Sequence, residues 1–254
     1  VRYCHFATGN YNEQTAKIYT DVSLLTCDPD LGADTAEFFN CITGFSAPQN
    51  FRKLEMAPTG MRHKFLEMIK TETRNAKLGK KASIRAKFNS LTDPDIIKAL
   101  YAASTAGVRI QLNIRGICCL VPGVEGLSEH IEVISLVDRF LEHARIFQFY
   151  HGGDDRIFIS SADWMPRNLD KRIELLIPIL TEPAKQKLAN ILDSYFLPND
   201  KAYHLNCQGE YARATDSSSL PNTQQAFHLR AKEAFREYAN RAPTAFSPHR
   251  SNDS

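Results

Sequence analysis

The chain has no run of about 18 apolar residues, so no segment reads as a membrane-spanning helix. It has no opening methionine, and Val1-Arg2-Tyr3-Cys4-His5 lacks both the basic start and the apolar stretch of a secretory signal. Strand-like alternation begins at once, so the sequence reads as part of a longer protein cut at Val1. There is no excess of one charge. Its 31 basic and 29 acidic residues leave a formal +2, too balanced for the footprint of a nucleic-acid binder. Six cysteines stand at 4, 27, 41, 118, 119 and 207, but none form a Cys-x-x-Cys pair, and adjacent Cys118 and Cys119 are poorly placed to share a metal. Buried, reduced thiols in a cytosolic protein are the expectation.

What is present suits a globular fold. With 254 residues, 43% of them hydrophobic, the chain is long enough for one large domain or two small ones. A strand is expected over Arg2 to Phe6, a turn at Thr8-Gly9-Asn10, and a second strand around Val22 to Leu25. Asp28-Pro29-Asp30-Leu31-Gly32 reads as a turn, Asp34 to Thr43 as a short helix, and 45–50 as a linker. Helix and strand then alternate. A helix is expected over Gly60 to Leu78 and a strand over Ala82 to Phe88. Asp93-Pro94 starts a helix that runs to Gly107, and Val108 to Ile114 follows as a strand. Further strands fit Ile131 to Ile134, Arg145 to Phe149, Arg156 to Ser160 and Ile173 to Ile179. Helices fit Pro183 to Tyr195 and Thr223 to Asn240, and the Pro-, Ser- and Asn-rich end from Ala242 reads as disordered. This order predicts a mixed or mostly parallel sheet flanked by helices, an α/β or α+β fold.

The two ends of the chain match at an offset of 153 positions. Thr8-Gly9-Asn10-Tyr11 falls on Ser161-Ala162-Asp163-Trp164, Thr15 on Asn168, Asp21 on Glu174 and Leu24 on Ile177. A duplicated unit implies two similar halves with a site at their pseudo-twofold interface. Ahead of the second copy lies Glu142-His143-Ala144-Arg145. On a strand, His143 and Arg145 would face one side together, an imidazole beside a guanidinium, which suits a phosphoryl group. Taken alone, the pair is better read as an ordinary polar surface strand; its position ahead of Ser161 and Asp163 in the repeat is what favours a site. By the same offset, the first copy's histidine would fall before Val1. Asp163 and Glu174 read as orienting or sheet-holding groups rather than metal ligands. Gly152-Gly153 reads as a hairpin turn, and His63, His130, His151, His204, His228 and His249 as solvated side chains on helices or loops.

A duplicated His-x-basic motif followed by a small hydroxyl and an amide or acid resembles the phospholipase D superfamily. Longer segments narrow the resemblance to the bacterial polyphosphate kinases: His5-Phe6-Ala7-Thr8-Gly9-Asn10-Tyr11-Asn12 with Tyr19-Thr20-Asp21; Asn89-Ser90-Leu91-Thr92-Asp93; Ile114-Arg115-Gly116-Ile117-Cys118-Cys119-Leu120; Arg139-Phe140-Leu141-Glu142-His143-Ala144-Arg145; and Ser161-Ala162-Asp163-Trp164-Met165 with Arg167-Asn168-Leu169-Asp170. They run in order from about residue 2 to 195. Ala7 departs from the family's usual Gly or Ser. The resemblance implies two phospholipase D-like half-domains, the first (1–50) truncated at its N-terminus, the second at 51–205, with a helix and tail over 206–254. It implies reversible transfer of the terminal phosphate of ATP to polyphosphate with Mg2+, through a phosphohistidine upstream of this chain, which alone would be inactive. Tyr19, Arg115 and His143 match nucleotide-site positions, with His143 also catalytic and Arg145, Asn10, Ser161 and Asp163 supporting it. Magnesium ligands would lie outside the chain. ATP or ADP and polyphosphate are then the partners, without nucleic acid. The full-length enzyme would be a homo-oligomer in the cytoplasm, with a peripheral place at the inner membrane as the alternative. A phospholipase D-like phosphodiesterase or phosphatidyl transferase and a non-catalytic nucleotide- or polyphosphate-binding remnant stay open as other readings.

Overall fold

The alternation at the start of the chain folds as β1 (Cys4–Ala7), followed by a short 3-10 turn, β2 (Tyr19–Thr20) and β3 (Ser23–Thr26). This is a computed structural model, and it describes residues 1–44, 51–213 and 222–240. The stretch read as a turn at Asp28 to Gly32 is instead the start of α1 (Pro29–Ile42). Asp28 caps it by accepting from the Asp30 and Leu31 amides, and Pro29 supplies a pre-set φ in the first turn. Asp34, buried on α1, accepts from the amides of Arg52, Lys53 and Leu54 and so ties down the chain's entry to the second unit.

That unit runs β4 (Glu55–Ala57), α2 (Met61–Lys77), β5 (Ser83–Phe88), α3 (Pro94–Thr105), β6 (Arg109–Ile114), β7 (Ile131–Leu136), β8 (Leu141–Glu142), β9 (Ile146–Phe149), β10 (Arg156–Ser160), α4 (Pro166–Lys171), β11 (Glu174–Pro178), α5 (Glu182–Tyr195), β12 (Ala202–Leu205), β13 (Tyr211–Arg213) and α6 (Thr223–Ala239). Asp93 and Pro94 start α3 as the sequence predicts, Asp93 accepting from the Asp95 and Ile96 amides. Nine strands form one mixed sheet in the order β13-β12-β7-β6-β5-β9-β10-β11-β4. The β5-β6-β7 core is parallel and the remaining pairs are antiparallel. One face of β5 and β6 is apolar (Ile84, Ala86, Phe88; Ile110, Leu112, Ile114) and sinks into a core with Phe65 of α2, Phe147 and Trp164. Burying such side chains stabilises the fold by roughly 1.5–3 kcal/mol each.

The 153-residue repeat is present in three dimensions and in register. Antiparallel β1 and β3 pair Phe6 with Leu24 and Ala7 with Ser23; antiparallel β10 and β11 pair Ile159 with Ile177 and Ser160 with Leu176. The end of each pair is closed alike. Thr8 N donates to Val22 O at 3.0 Å and receives the Val22 amide on Oγ1 at 3.1 Å. Ser161 N donates to Leu175 O at 3.2 Å and receives the Leu175 amide on Oγ at 3.1 Å. The copies share a second core in which Cys4, Phe6 and Leu31 pack with Ile157, Ile159, Ile177, Leu188 and Leu192.

Several expectations are corrected. His143 and Arg145 do not lie on a strand: β8 ends at Glu142 and β9 starts at Ile146. His204 sits on β12, not on a helix or loop, and His151 is only partly exposed, its ring Nδ1 buried. Of the cysteines only Cys4 is buried, while Cys27, Cys119 and Cys207 are exposed, with no disulfide among the described residues. The Gly152-Gly153 hairpin does form between β9 and β10, both glycines at positive φ. The linker at 45–50, the tail from Ala242 and His249 lie outside the described residues.

Candidate active site

Two residues of β2 and two of β8 bring the halves together. They pair in parallel, Tyr19 with Leu141 and Thr20 with Glu142, and the His143 amide continues the ladder by donating to Thr20 O at 3.2 Å. His143 is thereby set against the first repeat. Its Nδ1 lies 2.9 Å from Asp21 Oδ1, and its ring is tilted against Tyr19 with centroids 4.8 Å apart. A carboxylate only accepts, so Nδ1 carries the shared proton and Nε2 is the ring nitrogen that Asp21 leaves free. Thr8 donates to the same carboxylate at 2.7 Å. Burial opposes ionisation of Asp21. The hydrogen bonds from His143 and Thr8, with the nearby charges of His143 and Arg145, outweigh it and hold the carboxyl below its ordinary value.

Gly9 makes room for this arrangement: a Cβ there would run into the Asp21 carboxylate. A cleft of about 310 Å³ opens alongside, lined by His5, Asn10, Tyr11, Tyr19 and Asp21 among others.

On the other side, Arg145 is held by Asp163, Nε to Oδ1 at 3.1 Å and Nη2 to Oδ2 at 3.3 Å. Its Nη1 donates to the carbonyls of Thr8 and His143 and lies 3.0 Å from His143 Nε2 and 3.3 Å from Nδ1. Proximity to both ring nitrogens is contact with the ring, not a directed bond to either. Asp163 also accepts the Asn89 amide at 2.8 Å and Asn89 Nδ2 at 3.1 Å, and Asn89 Oδ1 accepts from Arg115 Nε at 3.0 Å. Burial lowers the pKa of Arg115, against the pull of Asp163, and Arg145 lowers it further. Gly116 lets this corner close, since a Cβ would stand 2.9 Å from Asn89 O.

Tyr19, Arg115 and His143 are thus half-buried beside the buried Arg145–Asp163 pair. Ser161 does not join them; its hydroxyl closes the β10-β11 pair by accepting the Leu175 amide. Asn10 lines the cleft beside Asp21 without entering the network. Glu174, the repeat counterpart of Asp21, accepts from Asn168 Nδ2 at 2.7 Å. Sequence reasoning left Asp21, Thr8 and Asn89 out of the site. The repeat had flagged Asp21 as an aligned acid, and Asn89 stood in a quoted motif, but nothing local placed either beside a histidine. The arrangement is an imidazole oriented by Asp21, with the Arg145 guanidinium against its ring and Arg115 joined to the same network through Asn89, a grouping whose chemistry suits an anion.

Similarity to known proteins follows the same division. Residues 54–225 match the family described as polyphosphate kinase C-terminal domain 2, and residues 1–48 match polyphosphate kinase C-terminal domain 1. The chain is 55% identical over 213 residues to a polyphosphate kinase of Rhodopirellula baltica, covering 84% of this chain and 25% of that protein. It is 52% identical over 210 residues to one of Halalkalibacterium halodurans, covering 83% and 30%. The crystal structure of polyphosphate kinase from Porphyromonas gingivalis superposes with a TM-score of 0.86 at 38% identity, over 92% of this chain and 36% of that one. The chain therefore spans about a quarter to a third of the length of these relatives.

Proposed function

The chain belongs to the polyphosphate kinase family, and from that premise we propose that it carries one half of an active site for reversible transfer of the terminal phosphate of ATP to polyphosphate. The observation that supports this best is the Asp21–His143 pair, which joins opposite repeats at 2.9 Å with Arg145 and Arg115 braced beside it. Asp21 orients the imidazole through Nδ1, so Nε2 is the atom that exchanges a proton with, or donates to, the transferring group. Arg115 and Arg145 meet the charge that spreads over phosphoryl oxygens as transfer proceeds. Tyr19 offers a ring face and a hydroxyl to the nucleotide at the mouth of the cleft.

The attacking histidine is assigned to the segment upstream of Val1. The repeat places Glu174 where Asp21 stands, so Glu174 is the group proposed to face it. Magnesium would supply charge neutralisation on the phosphates. Its ligands are proposed to lie elsewhere in the full-length enzyme.

The test uses ATP labelled on its terminal phosphate. His143→Ala in the full-length enzyme should slow transfer roughly hundredfold to ten-thousandfold, the range of a lost acid–base group. This chain alone should acquire no acid-labile phosphate. Stable phosphate on His143 would overturn the division of roles, and wild-type turnover of a lipid or nucleic-acid diester would favour a phosphodiesterase.

A further inference from the structure

The polar face of the central sheet carries a buried cluster that the site described above does not use. Alternation on β5 and β6 places Arg85, Lys87, Gln111 and Asn113 opposite the apolar face. Lys87 and Asn113, register partners, are each 1% exposed. Lys87 Nζ lies 3.5 Å from the Glu142 carboxylate, also buried, and donates to Ala144 O at 2.9 Å. The Glu142 carboxylate receives three more donors: Tyr195 OH of α5 at 2.8 Å, Thr20 Oγ1 of β2 at 3.1 Å and Gln224 Nε2 of α6 at 2.8 Å. Burial pushes the Lys87 ammonium down to about 8, with Glu142 opposing that shift and Arg145 and Arg115 adding to it.

Packing does not demand such a cluster. A buried ion pair is no more stabilising than apolar residues of the same volume, and often less so. Its contacts fall on one segment. Glu142 precedes His143, Ala144 follows it, and Thr20, which Glu142 holds, precedes Asp21. We infer that Lys87 and Glu142 are positioning residues that fix the irregular 142–145 backbone, and with it the alignment of His143 on Asp21. The inference rests on the phosphoryl-transfer role proposed for His143. Lys87 anchors the segment from the sheet, Glu142 ties it to the first repeat, and Tyr195 and Gln224 secure Glu142 from two helices.

The experiment compares kcat, KM for ATP and thermal melting of the full-length enzyme in four variants. Lys87→Met with Glu142→Gln removes both charges together, leaving neither uncompensated. Tyr195→Phe removes one donor to Glu142 with little change in volume. The double variant should lose at least tenfold in kcat with KM for ATP within twofold and a melting temperature close to wild type. Tyr195→Phe should lose severalfold in kcat in the same pattern. Glu142→Gln alone strands the buried Lys87 ammonium and should lower the melting temperature below that of the double variant as well as lowering kcat. His143→Ala is the control for the underlying reading. If it keeps wild-type turnover, that reading fails. If it is inactive while Tyr195→Phe and the double variant stay within twofold of wild-type kcat, positioning by Lys87 and Glu142 is refuted. A loss of kcat that merely follows the unfolded fraction also refutes it. Should the double variant not fold, Tyr195→Phe alone decides.

Discussion

Replacing Asp163 with Asn tests whether the guanidinium network is a structural commitment of the fold. The Arg145 and Asp163 side chains are each 10% exposed, so their pair is largely removed from water. One Asp163 oxygen takes Arg145 Nε and two donors of Asn89, and the other faces Arg145 Nη2. Asparagine keeps one of these oxygens and turns the other into an NH2, which then meets donors. Arg145 also loses its counter-charge. Breaking one side of a buried pair costs about 3–5 kcal/mol. For a chain of this length, at ~2–4 °C per kcal/mol, that is a fall in Tm of roughly 6–20 °C. Urea unfolding followed by circular dichroism at pH 7 reads the change directly, with the slope m unchanged if the denatured state is unaffected. Asp170→Asn is the control. Asp170 pairs with Arg62 from a half-exposed position and should cost no more than about 1 kcal/mol. Adding Arg145→Met to Asp163→Asn should recover part of the loss, since the stranded cation disappears. A cost below about 1 kcal/mol for Asp163→Asn, or strict additivity in the double variant, would refute the reasoning.

Three further outcomes follow from the same geometry. Gly9→Ala drives a methyl into the Asp21 carboxylate and should detach it from His143, lowering kcat of the full-length enzyme by about ten- to a hundredfold, the worth of one charge-assisted hydrogen bond; wild-type kcat would show that Asp21 does not orient the ring. His143→Ala leaves the burial of Asp21 with less to oppose it, so its carboxyl should titrate at higher pH than in wild type. Asp21 contributes stability above the ordinary carboxylate value that is lost as pH falls through its depressed folded value, and the variant should lose this contribution at higher pH; an unchanged carboxyl titration by NMR would sink the idea. Lys87 carries a folded value of about 8 against 10.5, with Glu142, Tyr195, Arg145 and Arg115 facing it. From about pH 8 to 10.5 the unfolded chain binds more protons than the folded one, so the stability of wild type relative to Lys87→Met should rise across that window by up to about 3 kcal/mol; a flat difference in urea midpoints would contradict it.

The elements legible in the sequence were those whose signals are local. Asp93-Pro94 and the spacing of Ile96, Leu100 and Ala103 define α3 because a cap, a pre-set φ and one apolar face all act within a few turns. The repeat was legible because both copies conserve a strand, a hydroxyl at the pinch and an acid, and a fixed offset needs no knowledge of contacts. By contrast, β2 and β8 are two residues each, and their pairing across some 120 positions carries no local signature. The segment at His143 read as a strand because alternation was extended through it. In the fold, Ala144 O is claimed by Lys87 and His143 O by Arg145, so side-chain donors replace a neighbouring strand. The alternation of Ala82 to Phe88 carries no sign that Lys87 is buried. Only the packing of β8 and α5 over its side of the sheet makes it buried.

The placement of the polar groups shows how stability and geometry are divided between different residues. The two repeats are held together chiefly by the apolar contacts of Phe6 and Leu31 with Ile157, Ile159 and Leu188, each buried side chain worth roughly 1.5–3 kcal/mol. A polar link such as the His143 amide to Thr20 adds only about 1 kcal/mol net. Apolar packing tolerates small sliding, whereas hydrogen bonds at 2.8–3.2 Å do not. The polar links therefore contribute little to whether the halves associate and much to where His143 stands relative to Asp21. A site built this way fails by misalignment before it fails by unfolding. For that reason the separation of kcat from Tm, rather than either quantity alone, decides whether Lys87, Glu142 and Tyr195 serve the chemistry.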